Sequence, residues 1–117
     1  MTRATPLIVG GGPAGAAAAI VLAGGALRPM LLERHAEPHD SLCGGFLGWD
    51  ALRRLQAIGI DAATLGAQPI GRLRLVAGDR IVERPLPGPA AGLSRRALDA
   101  ALIAAAAAAG AAVERGV

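Results

Sequence analysis

The stretch "LIVGGGPAG", Leu7 to Gly15, runs an apolar segment straight into three glycines, a proline, an alanine and a fourth glycine. Glycine is the costliest residue to order, so such a cluster needs a reason. Either something must approach the backbone closely, or this is slack in a glycine- and alanine-rich chain. The flanks decide. Pro6–Val9 is a short continuous apolar run, the pattern of a strand buried on both faces of a parallel sheet. Pro13 to about Ala23 is alanine-rich and long enough for a helix; Pro13 suits its first turn, and Gly24 and Gly25 end it. Met30–Leu32 is a second apolar run, closed by Glu33 and Arg34. The segments read strand, helix, strand: a βαβ unit of ordinary size.

Within it, Gly10-x-Gly12-x-x-Gly15 fits the dinucleotide fingerprint. Gly10 would make the tight turn off the strand, Gly12 would let a pyrophosphate come close, and Gly15 would let helix and strand pack. The helix starting near Pro13 points its free N–H groups at the phosphates. Glu33 follows Gly15 by eighteen residues, close to the spacing of about 20 for the acid that receives a ribose diol. A carboxylate there repels a 2′-phosphate, which disfavours NADP as the occupant. It does not separate FAD from NAD, since both present the diol.

Beyond the unit, residues 35–48 are polar and irregular. Trp49–Ile58 reads as a short amphipathic helix, with Trp49, Leu52, Leu55 and Ile58 at three-residue spacing. Leu73, Leu75 and Ile81 among alternating arginines, with Gly78-Asp79 between, predict a β-hairpin. Pro85, Pro87 and Pro89 are expected to break that pattern into a linker. Ser94 is a good N-cap for a helix to about Ala109, Gly110 sits at its C-cap, and residues 111–117 begin another strand. Two or three parallel strands leave one sheet face without a cover, so the chain is expected to be the N-terminal piece of something longer.

Composition narrows the function classes. At 117 residues, 53% hydrophobic and 18% charged, the chain is one domain at most and not disordered. All twelve basic residues are arginine, a bias that fits a GC-rich genome. They are scattered among nine acids, with one Trp, one Phe and no Tyr, which is not a nucleic-acid footprint. The lone Cys43 excludes an intrachain disulfide and is compatible with a reducing compartment; the expected location is cytoplasmic. Residues 4–27 carry no charge, the length of a membrane span or secretion signal. Interruptions at Gly10, Gly11, Gly12, Pro13, Gly15, Gly24 and Gly25 and an alanine-dominated apolar content argue for strand, turn and buried helix instead.

Three blocks, "LIVGGGPAGAAAAIVLAGGALRPMLLERH", "CGGFLGWDALRRLQAIGI" and "GLSRRALDAALIAAAAAAGAAV", resemble the N-terminal part of FAD-dependent oxidoreductases, particularly geranylgeranyl-reductase-like and aromatic-hydroxylase-like flavoproteins. The resemblance covers nearly the whole chain. It implies a single, incomplete α/β domain over 1–117: a Rossmann-like FAD/NAD(P)-binding domain with a parallel sheet and a small β-hairpin insertion. It also implies roles. Gly10, Gly12, Pro13, Ala14 and Gly15 would hold the pyrophosphate, Glu33 the adenosine ribose, and Arg34 would lie beside the adenine. Cys43 and Gly44 would line the path to the flavin ring, and Arg95, opening an Arg-x-x-Leu-Asp pattern, would contact the ribityl–phosphate portion. Trp49 departs from the smaller residue or proline expected there.

The implied cofactor is FAD, with NAD(P)H as a transient reductant and a small apolar or aromatic molecule as substrate. The implied reaction is hydride transfer through the flavin, in a reductase or a monooxygenase. A downstream region or a second chain would complete the fold. The alternative is a non-catalytic NAD-binding module that needs a partner. No catalytic residue, nucleophile–base pair, paired carboxylates or metal-ligand spacing stands out, and His35 and His39 read as surface residues.

Overall fold

The computed structural model describes residues 5–42 and 44–117; the expected role of Cys43 lies outside them. Its elements are β1 (Leu7–Val9), α1 (Pro13–Gly24), β2 (Met30–Glu33), β3 (Phe46–Leu47), α2 (Trp49–Ala57), a 3₁₀ turn (Ala62–Leu65), β4 (Gln68–Ala77), β5 (Arg80–Gly92), α3 (Arg95–Ala109) and β6 (Ala112–Arg115). They form two compact units, one of Met1–Cys43 with Ser94–Val117 and one of Gly44–Leu93.

The first unit is a parallel sheet in the order β1-β2-β6. Leu7 pairs with Met30 and Val9 with Leu32, and β6 continues the sheet with Leu31 opposite Val113 and Glu33 opposite Arg115. Helices α1 and α3 pack against each other, and their composition explains how. Ala16, Ala19 and Ala23 form the buried stripe of α1, so α3 can approach and seat Leu98, Leu102, Ile103 and Ala106. Leu31 and Leu102 are fully enclosed, each contributing roughly 1.5–3 kcal/mol by leaving water. Leu7 and Val9, on the opposite side of β1 from Ile8, are exposed. The end of α3 follows the sequence: Ser94 Oγ accepts from Ala97 N at 3.2 Å, and Gly110 closes the helix in the left-handed region at φ 115°.

The second unit is an antiparallel sheet in the order β3-β5-β4. The expected hairpin is present: Ala77 faces Arg80 across Gly78-Asp79, and Gly78 has φ 61°, as a first-position glycine of a tight hairpin turn requires. Arg72 and Arg74 share Glu83 across the strands, at 3.5 and 2.5 Å. The expected proline linker is corrected. β5 continues through Pro85, Pro87 and Pro89 to Gly92. Proline has no N–H to give a ladder, but the register slips here, from Arg72 opposite Pro85 to Ile70 opposite Ala90. Pro87 and Pro89 fall in that unpaired bulge, where no donor is needed. Trp49 packs against the same strand; a Cβ on Gly88 would come within 2.9 Å of its ring. No helix among the described residues is long and apolar enough to cross a membrane.

Candidate dinucleotide-binding site

Each fingerprint glycine has a distinct reason visible in the backbone. Gly10 has φ 105°, which side chains rarely adopt, and its N–H donates to Leu32 O at 2.8 Å, turning the chain off β1. A Cβ on Gly15 would lie 1.9 Å from Gly10 O, so only glycine lets the first turn of α1 pass the end of β1. A Cβ on Gly12 would touch little: the nearest atom is Arg95 Nη2, at 3.9 Å. Gly12 therefore faces open space that a ligand can fill.

Gly12 is also the N-cap of α1, with Pro13 in the first turn, no capping side chain and no acidic residue there. Ala14 is exposed on the same turn. Unlike α3, which Ser94 caps, α1 presents bare N–H groups and the positive end of its dipole, a natural place for an anion.

Glu33 ends β2 beside this loop. Its Oε2 accepts from Gly11 N at 2.9 Å and its Oε1 from His35 N at 3.1 Å. Burial opposes the charged carboxylate, but the N–H groups of His35 and Gly11 and the His35 ring outweigh it and hold the pKa below its ordinary value. Glu33 is thus a fixed anion at neutral pH. Arg95, opening α3, is held by a two-pronged contact with Asp99, Nε to Oδ1 at 3.0 Å and Nη2 to Oδ2 at 3.1 Å.

The first unit thus brings together Gly10, Gly12, Pro13, Ala14, Gly15, Glu33 and Arg95. Arg34 follows at the exposed end of β2. Gly44 belongs to the second unit, with φ 117°. Sequence reading missed three participants. A Cβ on Gly11 would stand 2.8 Å from Glu33 Oε2 and 3.0 Å from Ile103 Cδ1, so a side chain there would displace the carboxylate it binds; the middle glycine of three was its signal. Asp99 orients Arg95, and its four-residue spacing was legible. His35 contacts Glu33, and nothing in the sequence marked that. No cluster of His, Cys, Asp or Glu suited to a metal occurs among the described residues.

Strand, glycine loop, helix, strand and terminal acid define the class: an α/β domain of the dinucleotide-binding type. More particularly, the chain belongs to the FAD binding domain family, whose model matches residues 3–117. Solved structures agree in fold. Tetrameric 2-methyl-3-hydroxypyridine-5-carboxylic acid oxygenase is 24% identical with a TM-score of 0.86, covering 99% of this chain and 32% of its own. A geranylgeranyl bacteriochlorophyll reductase-like protein from Thermoplasma acidophilum is 26% identical with a TM-score of 0.76, covering 96% and 30%. The flavin-dependent monooxygenase PieE, solved with FAD and substrate, is 20% identical with a TM-score of 0.78, covering 98% and 24%. The chain thus spans less than a third of each of these proteins. No curated protein sequence matches it.

Proposed function

We propose that this chain is the FAD-binding portion of a flavin-dependent oxidoreductase, a reductase or a monooxygenase. The observation that carries this reading is the convergence of an uncapped helix start at Gly12, a fixed carboxylate at Glu33 and an oriented guanidinium at Arg95 within one unit. Gly10, Gly12, Pro13, Ala14 and Gly15 shape the loop that receives the pyrophosphate: Gly12 leaves the volume open and the first-turn N–H groups donate. Glu33 accepts from the adenosine ribose, and Arg34 flanks the adenine. Arg95 offers charge from the far side of Gly12 to the ribityl–phosphate portion. Cys43 and Gly44 lead toward the flavin ring.

FAD supplies the redox chemistry when bound, accepting or delivering a hydride, and this chain contributes binding and orientation. NAD(P)H as the transient reductant and a small apolar or aromatic substrate fit that chemistry, with the residues that meet them supplied by a further region of the protein. A cytoplasmic setting suits the single cysteine.

Purified chain with added FAD should gain thermal stability and carry the visible absorption of flavin. Protection by NAD with none by FAD overturns this reading in favour of a nicotinamide-binding module.

A further inference from the structure

The Glu33 carboxylate is not held by backbone alone. The His35 ring places Nδ1 3.3 Å from Glu33 Oε1, the oxygen that already accepts from His35 N. An ionised carboxylate can only accept, so the contact is favourable when Nδ1 carries a proton. The ring is itself held in place. It stacks on His39 with centroids 3.8 Å apart and planes 28° from parallel, and Arg115 Nη1 reaches the His35 carbonyl at 3.5 Å. Glu33 is nearly enclosed while His35 is about two-fifths exposed, so the imidazole closes the outer side of the carboxylate.

The count of donors gives this arrangement a consequence. A carboxylate has about four acceptor positions. Gly11 N occupies one on Oε2, and His35 N and Nδ1 occupy both on Oε1. About one remains, on Oε2, the oxygen on the glycine-loop side. We infer that His35, braced by His39, is a positioning residue that locks Glu33 so that Oε2 alone receives a ribose hydroxyl of the bound dinucleotide. This rests on the proposed role of Glu33. Without the imidazole, Oε1 keeps only its backbone donor, the carboxylate can rotate, and selectivity for the ribose diol weakens.

The test is a cycle of two ligands and three proteins. Wild-type chain, His35→Phe and His35→Asn are titrated with ADP and with 2′,3′-dideoxy-ADP, which share adenine and pyrophosphate but differ in the diol. Phe keeps a ring for His39 and removes the donor; Asn retains a short N–H donor near the Nδ1 position. Wild type should prefer ADP by about tenfold, the value of one hydrogen bond to a charged group. His35→Phe should reduce that preference to about two- to threefold by weakening ADP and leaving dideoxy-ADP unchanged, and His35→Asn should restore most of it. Equal weakening of both ligands by His35→Phe means a merely structural role and overturns the inference. So does an undiminished preference. If wild type itself does not discriminate, the assignment of the ribose to Glu33 falls, and the inference with it.

Discussion

Replacing Gly15 with alanine sets two effects of opposite sign against each other. Gly15 lies in the first turn of α1, where alanine is favoured over glycine by about 1 kcal/mol on helix propensity. The new Cβ, however, would stand 1.9 Å from Gly10 O. Gly10 O is backbone and the Cβ is fixed directly to the helix backbone, so neither can swing aside as the end of a flexible side chain would. Reaching a tolerable contact requires α1 and the end of β1 to part by roughly 1 Å, in a well-packed interior where overpacking costs about 1–3 kcal/mol and more when backbone must shift. The same movement pulls Ala16 and Ala19 away from α3. The steric cost wins, and Gly15→Ala should destabilise the chain by about 2 kcal/mol or more. Gly24, in the last turn of the same helix, has nothing within 4 Å of an added Cβ. Gly24→Ala should therefore keep the propensity gain and stabilise by up to about 1 kcal/mol. Urea unfolding followed by circular dichroism measures both. A Gly15→Ala protein as stable as Gly24→Ala would mean that the contact with Gly10 O does not hold α1 to β1.

Gly12→Val should lower FAD affinity at least about tenfold by filling the phosphate space, where among the described residues an added Cβ meets only Arg95 Nη2, at 3.9 Å; fluorescence titration reads the loss, and the urea midpoint should fall by no more than the roughly 1 kcal/mol that a poor N-cap residue costs. Arg95→Lys keeps the charge but loses the fork that grips Asp99, so FAD affinity should fall by about tenfold in the same titration. The folded-state pKa of Glu33 is lowered, so its stabilisation is present above its unfolded value near 4.5 and is lost as pH falls through the folded one. Glu33→Gln should accordingly be less stable than wild type at neutral pH, with the gap in melting temperature narrowing below about pH 4.5; a gap constant from pH 7 to 3 contradicts the ion-dipole account of that carboxylate.

The βαβ core was legible because its signals are local. The apolar run ending at Val9, the proline one residue past Gly12 and the glycines after Ala23 each fix a boundary through their own backbone preferences. Ser94 and Gly110 mark α3 for the same reason. The second half of strand β5, from Pro85 to Gly92, was not legible, since proline argues against a strand unless a bulge takes the missing donor, and that bulge depends on where β4 lies beside it. The same limit hid His35 and Gly11. Their roles exist only because β2 brings Glu33 alongside the glycine loop and the chain then folds back on the carboxylate. Gly12, Glu33 and Arg95 were readable as types at a spacing, whereas the partners that fix them arise from packing.

The most direct test is a crystal structure of the chain with FAD bound. The pyrophosphate should lie against the N–H groups that follow Gly12, a ribose hydroxyl on Glu33 Oε2, and the Arg95 guanidinium should face the cofactor. FAD seated elsewhere, or Gly12 and Glu33 left facing solvent beside an ordered cofactor, would contradict that placement.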